Sequence, residues 1–264
     1  MGRIEEKFKQ LKKEKKKALV IYITAGDPTL EITKSLVKEI ANQGVNLIEL
    51  GIPFSDPVAD GRTIQKASLR ALKSGTNLKK ILKLVQDVRQ SVDLPIVLMG
   101  YYNPIYKYGY DKFISDSLRA GVDGVIIPDL PPDEDNEFVE MAKDKGLDSI
   151  FLLAPTSSEK RIALITKKSR GFIYYVSLTG VTGTRNQLSE TIRDKVKQIQ
   201  LSTVLPIIVG FGISNPTQAK EVSLAADGVV VGSAVVNIIE KHINSPDLVA
   251  RVGLAVKDFK EVLK

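Results

Sequence analysis

The 264-residue sequence contains no cysteine and a single histidine, His242. Without cysteine the chain cannot form disulfides, use a thiol nucleophile or bind a metal through thiolates. One histidine, in a segment that reads as a late surface helix, argues against a Ser-His-Asp triad and against a metal site of several histidines. We therefore predict no metal site, and any acid–base chemistry falls to Asp, Glu, Tyr or Lys.

Long apolar runs are also absent. None approaches the length of a membrane span, and the lysine-rich N-terminus lacks the apolar core of a signal peptide. Hydrophobic residues make up 43% of the chain and charged residues 26%, which is typical of a soluble globular protein. We expect a cytoplasmic protein that makes no membrane contact.

Positive charge is concentrated at the N-terminus. Residues 1–17 contain eight lysines or arginines and three glutamates, against a net charge of +7 for the whole chain. Ile4, Phe8 and Leu11 lie at helical spacing, which predicts an amphipathic helix that packs on the body of the protein. No aromatic or glycine pattern of an RNA-binding module accompanies the lysines, so we expect no nucleic-acid partner.

Short β-rich runs alternate with helical stretches along the whole chain. The predicted strands are Leu19–Thr24, Leu47–Leu50, Pro95–Met99, Gly124–Ile127, Ser149–Leu153, Phe172–Ser177, Pro206–Gly210 and Gly228–Gly232. The predicted helices between them include Glu31–Asn42, Thr63–Ser74, Leu78–Ser91, Asp133–Lys145, Glu159–Lys168, Glu190–Gln200 and Pro216–Leu224. This alternation implies a parallel sheet, and eight units in this length favour a closed (β/α)8 TIM barrel over an open sheet. No linker divides the chain, so we predict one domain over residues 1–264, with residues 1–17 as an extra basic helix.

The segment Glu49–Gly61 places two carboxylates around the end of an apolar strand. Strand alternation puts Leu47 and Glu49 on one face, and a lone buried Glu is costly unless it has a partner or a function. A loop with two prolines follows and ends at Asp60. Glu49 alone could be a strand-end residue that bonds a neighbouring backbone or cation. Its place on the rim where barrel active sites form favours catalysis.

Three glycine-containing turns follow the last three predicted strands. They are Gly180–Gly183, Gly210–Ser214 and Gly232–Ala234. Adjacent turns at the end of a barrel, backed by a helix N-terminus, present free N–H groups to an anion, and glycine permits close approach. We predict a phosphate site here that needs neither Arg nor Lys.

The other strand ends are apolar. Tyr22, Met99, Ile126 and Phe211 predict a pocket for an aromatic or otherwise hydrophobic group. With the carboxylates and the phosphate site, this pattern predicts a phosphate ester that undergoes carbon–carbon cleavage or isomerisation by acid–base catalysis. Residue patterns alone do not choose among phosphate-binding barrel enzymes.

Several segments resemble tryptophan synthase α subunits, in register over essentially the whole chain. They are Gly26–Pro28, Glu49–Gly61, Tyr102–Pro104, Pro128–Pro131, Thr179–Gly183 and Gly210–Ser214. The resemblance implies a carbon–carbon lyase of tryptophan biosynthesis, which splits indole-3-glycerol phosphate into indole and glyceraldehyde 3-phosphate. Tyr22 and Leu178 depart from the residues that some relatives carry at these positions.

The resemblance also implies a role for each matching residue. Glu49 would transfer protons, Asp60 would accept the indole N–H, and Tyr174 would position Glu49 or the glycerol portion. The phosphate would be held by Gly183, Phe211, Gly212, Gly232 and Ser233. The indole would be enclosed by Tyr22, Ile64, Met99, Ile126 and Leu152.

The same resemblance implies a partner. A β subunit carrying pyridoxal phosphate would join this chain in an αββα heterotetramer, and this chain would hold no cofactor. The loops that contain Pro53, Asp56, Pro57 and Thr182 would be mobile lids, with Asp56 and Pro57 facing the β subunit and Phe54 exposed for docking. The alternatives are a free-standing lyase, another phosphate-binding barrel enzyme, and a non-enzymatic barrel that acts through residues 1–17.

Overall fold

The computed structural model describes residues 2–131, 133, 136–177, 185–210 and 212–263, with the backbone alone for residues 136 and 185–190. The strands in these ranges are β1 (Ala18–Thr24), β2 (Leu47–Gly51), β3 (Ile96–Met99), β4 (Gly124–Ile126), β5 (Asp148–Ile150), β6 (Leu152–Leu153), β7 (Ile173–Val176), β8 (Ile207–Gly210) and β9 (Gly228–Val231). The helices are α1 (Arg3–Lys13), α2 (Leu30–Asn42), α3 (Arg62–Lys73), α4 (Leu78–Val88), α5 (Tyr102–Tyr108), α6 (Tyr110–Ala120), α7 (Asn136–Lys145), α8 (Glu159–Lys168), α9 (Arg185–Gln200), α10 (Pro216–Ser223), α11 (Ser233–Lys241) and α12 (Leu248–Glu261). The predicted alternation of strands and helices is therefore confirmed.

The strands form one parallel sheet in the order β5-β4-β3-β2-β1-β9-β8-β7-β6. Its two outermost strands, β5 and β6, are consecutive in the chain and only Phe151 separates them. The Phe151 carbonyl accepts a hydrogen bond from the Tyr174 N–H at 3.1 Å, which continues the ladder across this break. The sheet thus closes into the predicted barrel. The fifth predicted strand, Ser149–Leu153, is two short strands, because one half pairs with β4 and the other with β7.

Some helix boundaries differ from the prediction. Residues 102–104, which follow the third predicted strand and lie in none of the predicted helices, form the first turn of α5. Pro104 does not prevent this helix, since the N–H groups of a first turn have no intrahelical partner. Helix α7 begins at Asn136, three residues after the predicted start. Helix α9 begins at Arg185, five residues before the predicted start, because its first turn is polar and carries no apolar periodicity.

Strand alternation separates two apolar layers. Val20 and Leu47 belong to a cluster of side chains contributed by strands around the whole barrel, which fills its interior. Leu19 and Ile48, one position away on the same strands, pack against residues of the surrounding helices. Glu49 shares the inward face with Leu47, as the alternation predicts, and the carboxylate therefore points into the barrel.

Helix α1 covers the amino-terminal end of the barrel. Ile4, Phe8 and Leu11 are buried against the interior cluster, and the Phe8 ring lies 5.9 Å from that of Phe172, just before β7. Arg3 donates a hydrogen bond to Asp123, just before β4, at 3.0 Å. The predicted amphipathic helix is confirmed, and it packs at the end of the barrel opposite the carboxyl ends of the strands.

None of the described helices is both long enough and apolar enough to cross a membrane.

Candidate active site

A cavity of about 510 Å³ opens at the carboxyl ends of the strands. Its walls come from β1, β2, β3, β7 and β9, from the segments that follow β2, β8 and β9, and from α12. The predicted site residues that line it are Tyr22, Glu49, Asp60, Ile64, Met99, Tyr174, Gly212, Gly232 and Ser233. Residues far apart in the sequence thus meet at one rim of the barrel.

Glu49 is the buried acid of this cavity. It lies on β2 between Tyr22 of β1 and Val97 of β3, and it is 1% exposed. Neither carboxylate oxygen has a hydrogen-bond partner among the residues that the structure describes. Burial, and secondarily the nearby charge of Asp60, raises the pKa of Glu49 to about 8. A carboxyl group with a pKa near neutrality can both give and take a proton under physiological conditions.

Two buried tyrosines, Tyr22 and Tyr174, flank Glu49. The hydroxyl group of each occupies space that a side chain at a nearby glycine would fill. A Cβ added at Gly51 would lie 2.1 Å from the Tyr22 hydroxyl oxygen, and one added at Gly210 would lie 2.4 Å from that of Tyr174. Burial raises the pKa of both tyrosines, and the charge of Glu49 adds to the effect. Both phenols therefore stay protonated beside Glu49 and can act as hydrogen-bond donors.

Asp60 is the second carboxylate of the cavity and ends the loop after β2. The next residue, Gly61, caps α3, and the Asp60 carbonyl accepts a hydrogen bond from the Gln65 side chain at 2.8 Å. Burial raises the pKa of the Asp60 carboxyl, and a hydrogen bond from the Tyr101 hydroxyl opposes that rise. Asp60 is thus fixed at its backbone while its carboxylate faces the cavity.

The loop from Pro53 to Asp60 bears the predicted lid residues. Pro53 is buried, Pro57 is half-buried, and Asp56 is exposed and accepts a hydrogen bond from the Ser55 hydroxyl at 2.5 Å. The prediction of an exposed Phe54 is wrong. Its ring is half-buried against Tyr101, with the ring centroids 5.3 Å apart.

The opposite side of the cavity is formed by backbone and helix N-termini. Helix α11 begins at Ser233, and α10 begins at Pro216 behind an Asn215 N-cap. Gly212, between β8 and α10, has φ +79°, a conformation that glycine adopts without strain. Helix N-termini present unpaired N–H groups and a partial positive charge, so this side suits an anion.

Among the described ranges of the chain, no three His, Cys, Asp or Glu side chains come together as a group that could hold a metal ion.

Some predicted site residues lie elsewhere. Ile126 is fully buried in the apolar interior of the barrel and Leu152 packs against it, and neither lines the cavity. The interior position follows from their inward-facing places on β4 and β6. Thr182, Gly183 and Phe211 lie outside the described residues, as does Leu178.

Sequence reasoning missed several residues that the fold brings to the site. Asn237 and Ile238 line the cavity one turn after Ser233, and helical spacing could have indicated them. Asn215 could have been found from the Asn-Pro signal of a helix start. The sequence places Tyr101 just after the third predicted strand, but its contacts with a loop more than forty positions earlier in the chain leave no local signal.

Comparison with known proteins agrees with this architecture. The family model described as tryptophan synthase alpha chain matches residues 8–264. A tryptophan synthase alpha chain of Geotalea uraniireducens is 52% identical over 264 residues, which is 100% of this chain and 98% of that one. The crystal structure of the alpha chain from Legionella pneumophila superposes with a TM-score of 0.92 at 38% identity, covering 100% of this chain and 97% of that one.

A chain of the tryptophan synthase complex from Pyrococcus furiosus superposes with a TM-score of 0.83 at 36% identity, covering 92% of this chain and 98% of that one. The matches that cover 100% of this chain include β2, which carries Glu49, and the segments after β8 and β9, which contain Gly212 and Gly232. The (β/α)8 architecture, the paired carboxylates at its rim and the full-length similarity agree, and this chain belongs to the tryptophan synthase alpha chain family.

Proposed function

We propose that Glu49, Asp60 and Tyr174 carry the reaction of this family, the retro-aldol cleavage of indole-3-glycerol phosphate in tryptophan biosynthesis. The observation that carries this assignment is the environment of Glu49. Its carboxyl group is buried in the cavity, has no hydrogen-bond partner among the described residues and has a pKa of about 8. Such a group is costly for the fold and useful for proton transfer.

The cleavage requires one proton to move across the substrate. C3 of the indole ring gains a proton, the glycerol hydroxyl loses one, and the bond between C3 and the glycerol carbon breaks to give indole and an aldehyde. A protonated Glu49 donates to C3 and the resulting carboxylate accepts the hydroxyl proton, so that one residue completes the cycle. Tyr174, whose hydroxyl is buried in the same cavity, positions Glu49 or the glycerol portion.

Asp60 acts at the indole nitrogen in this proposal. Its carboxylate accepts the N–H and stabilises the positive charge that develops on the ring after protonation. The ring lies against Tyr22, Ile64 and Met99, which line the cavity. Ile126 and Leu152 support this wall from the barrel interior.

The phosphate binds on the other side of the cavity, at Gly212, Gly232 and Ser233. Support comes from the N-terminus of α11 and from the backbone between β8 and α10, which together line that side. Gly183 and Phe211 stay predictions of the sequence for the same anion.

This chain works with a β subunit as part of tryptophan synthase, and we assign pyridoxal phosphate to that subunit and no cofactor to this chain. The αββα assembly and a cytoplasmic location are parts of the same proposal. Support comes from the loop at the catalytic rim, where Val58 is 83% exposed and Asp56 projects into solvent. Asp56 and Pro57 would then belong to a lid that orders when substrate and β subunit bind, and Thr182 stays a prediction of the sequence for a second lid.

The test is indole release from indole-3-glycerol phosphate by the purified chain, with and without an added β subunit. We expect slow release from the chain alone and faster release in the complex. Absence of indole under both conditions would contradict the proposed reaction. A rate that no β subunit changes would instead support a free-standing lyase.

A further inference from the structure

The side chain of Tyr101 holds the loop between Pro53 and Asp60 to the segment after β3, in addition to the hydrogen bond that Gln65 of α3 donates to the Asp60 carbonyl. This tyrosine lies two residues after β3, immediately before α5, and is 4% exposed. Its hydroxyl oxygen accepts a hydrogen bond from the Ala59 N–H at 2.9 Å. No other backbone N–H of the loop donates a hydrogen bond to a different segment within the described part of the chain.

Tyr101 contacts both ends of this loop. Its ring packs against Phe54 at the start, with centroids 5.3 Å apart and the planes inclined at 31°. Its hydroxyl group accepts a hydrogen bond from the Ala59 N–H at the end, and its interaction with the neighbouring Asp60 carboxyl opposes the rise in the pKa of that acid. A single rigid side chain with only two side-chain torsions therefore holds the first and last parts of the loop at a fixed separation.

We infer that Tyr101 is a positioning residue that sets the place of the Asp60 carboxylate over the cavity. The inference rests on the proposed role of Asp60. Because the hydroxyl accepts from Ala59 N–H, its own proton is directed away from that bond and toward the neighbouring carboxylate. A buried phenol that donates to a carboxylate also favours the ionised form of the acid. Tyr101 thus fixes the position of Asp60 and opposes the rise in its pKa that burial causes.

The test uses Tyr101→Phe in the full-length chain, followed by steady-state indole release. The variant keeps the ring contact with Phe54 and removes only the hydroxyl group. We expect kcat to fall about ten- to a hundredfold, the range for losing one hydrogen bond to a charged group. Tyr108→Phe is the matched control, since its hydroxyl also donates to a carboxylate, Asp116 at 2.8 Å, on α6. That variant should retain the wild-type kcat.

The pH profile distinguishes positioning from a general structural role. The ionisable side chains whose pKa responds to Asp60 are Glu49, Tyr22 and Tyr174, besides Tyr101 itself. Glu49, Tyr22 and Tyr174 are all still present in the Tyr101→Phe variant. Loss of the hydroxyl raises the pKa of Asp60 further, so the acid limb of the kcat/KM profile should move to higher pH. A lower melting temperature with an unmoved acid limb would overturn the inference.

A double-mutant cycle with Asp60→Asn gives the second readout. If Tyr101 acts through Asp60, adding Tyr101→Phe to Asp60→Asn should cause little further loss of kcat. Losses that multiply fully in the double variant would contradict the inference, as would a wild-type kcat for Tyr101→Phe. A near-normal kcat for Asp60→Asn would be a different result, because it would remove the proposed role of Asp60 itself.

Discussion

Replacing Glu49 by glutamine is expected to remove catalysis and at the same time to stabilise the fold at neutral pH. The two side chains have nearly the same shape, but glutamine has no proton to transfer, and the cleavage rate should fall by roughly 10²–10⁴. The gain in stability follows from the burial of a carboxyl whose two oxygens have no hydrogen-bond partner among the described residues. Loss of catalysis together with a gain in stability distinguishes a catalytic acid from a structural one.

The size of the gain follows from the pKa. The folded chain keeps the Glu49 proton up to a pH of about 8, whereas the ordinary pKa of a glutamate is 4.5. Between these values the unfolded chain binds fewer protons than the folded chain, so the free energy of unfolding of the wild type falls as pH rises. Each pH unit in this window costs about 1.4 kcal/mol. At pH 7 the accumulated cost is on the order of 3 kcal/mol, and glutamine does not incur it.

The assay is urea unfolding of both proteins, followed by far-ultraviolet circular dichroism at about pH 5, 6, 7 and 8. The Glu49→Gln curve should lie close to the wild-type curve at the lowest pH and shift to higher urea, relative to it, as pH rises. Glu221→Gln, at an exposed position on α10, is the matched control and should show no such divergence. The reasoning is refuted if Glu49→Gln is less stable than the wild type at pH 7, or if the difference is constant with pH.

Three further perturbations test the rest of the site. Asp60→Asn should cause a large loss of indole release while glyceraldehyde 3-phosphate affinity, measured by calorimetry, changes little; a collapse of both would indicate a structural role in the loop. Gly212→Val should abolish phosphate affinity because φ +79° strains a branched residue, whereas Ser233→Ala should cost only about 0.5–1.5 kcal/mol; equal mild effects would place the anion elsewhere. Pro57→Ala should reduce activation by an added β subunit more than the basal rate, and an unchanged activation ratio would contradict a role for this residue in docking.

Much of the fold could be predicted because its causes are local. Alternating apolar side chains mark strands, and helical spacing marks the stretches between them. The amphipathic helix with Ile4, Phe8 and Leu11 was recognisable for the same reason. The break in the strand at Phe151 could not be recognised in this way, because the residues on both sides of it are apolar. The break arises where the sheet closes between β4 and β7.

The site was predictable where one segment carries both its chemistry and its backbone signal. Glu49 on its strand, Asp60 after the prolines and Gly212 in its turn are of this kind. Ile126 was placed at the pocket from its strand end and Leu152 from the family resemblance, and only the three-dimensional structure shows that they face the packed interior. Phe54 was expected in solvent because its partner, Tyr101, is distant in sequence.

The sequence by itself determined the number of strand–helix units, the face on which Glu49 lies and the family to which the chain belongs. These depend on residue types at fixed local spacing, which the chain carries whatever its neighbours are. Only the tertiary structure decided the chemical state of Glu49, since its raised pKa comes from burial and from the charge of Asp60 on the next loop. The attachment of that loop to Tyr101 was decided in the same way. Burial and electrostatic coupling are properties of groups brought together across the barrel, and no single segment contains them.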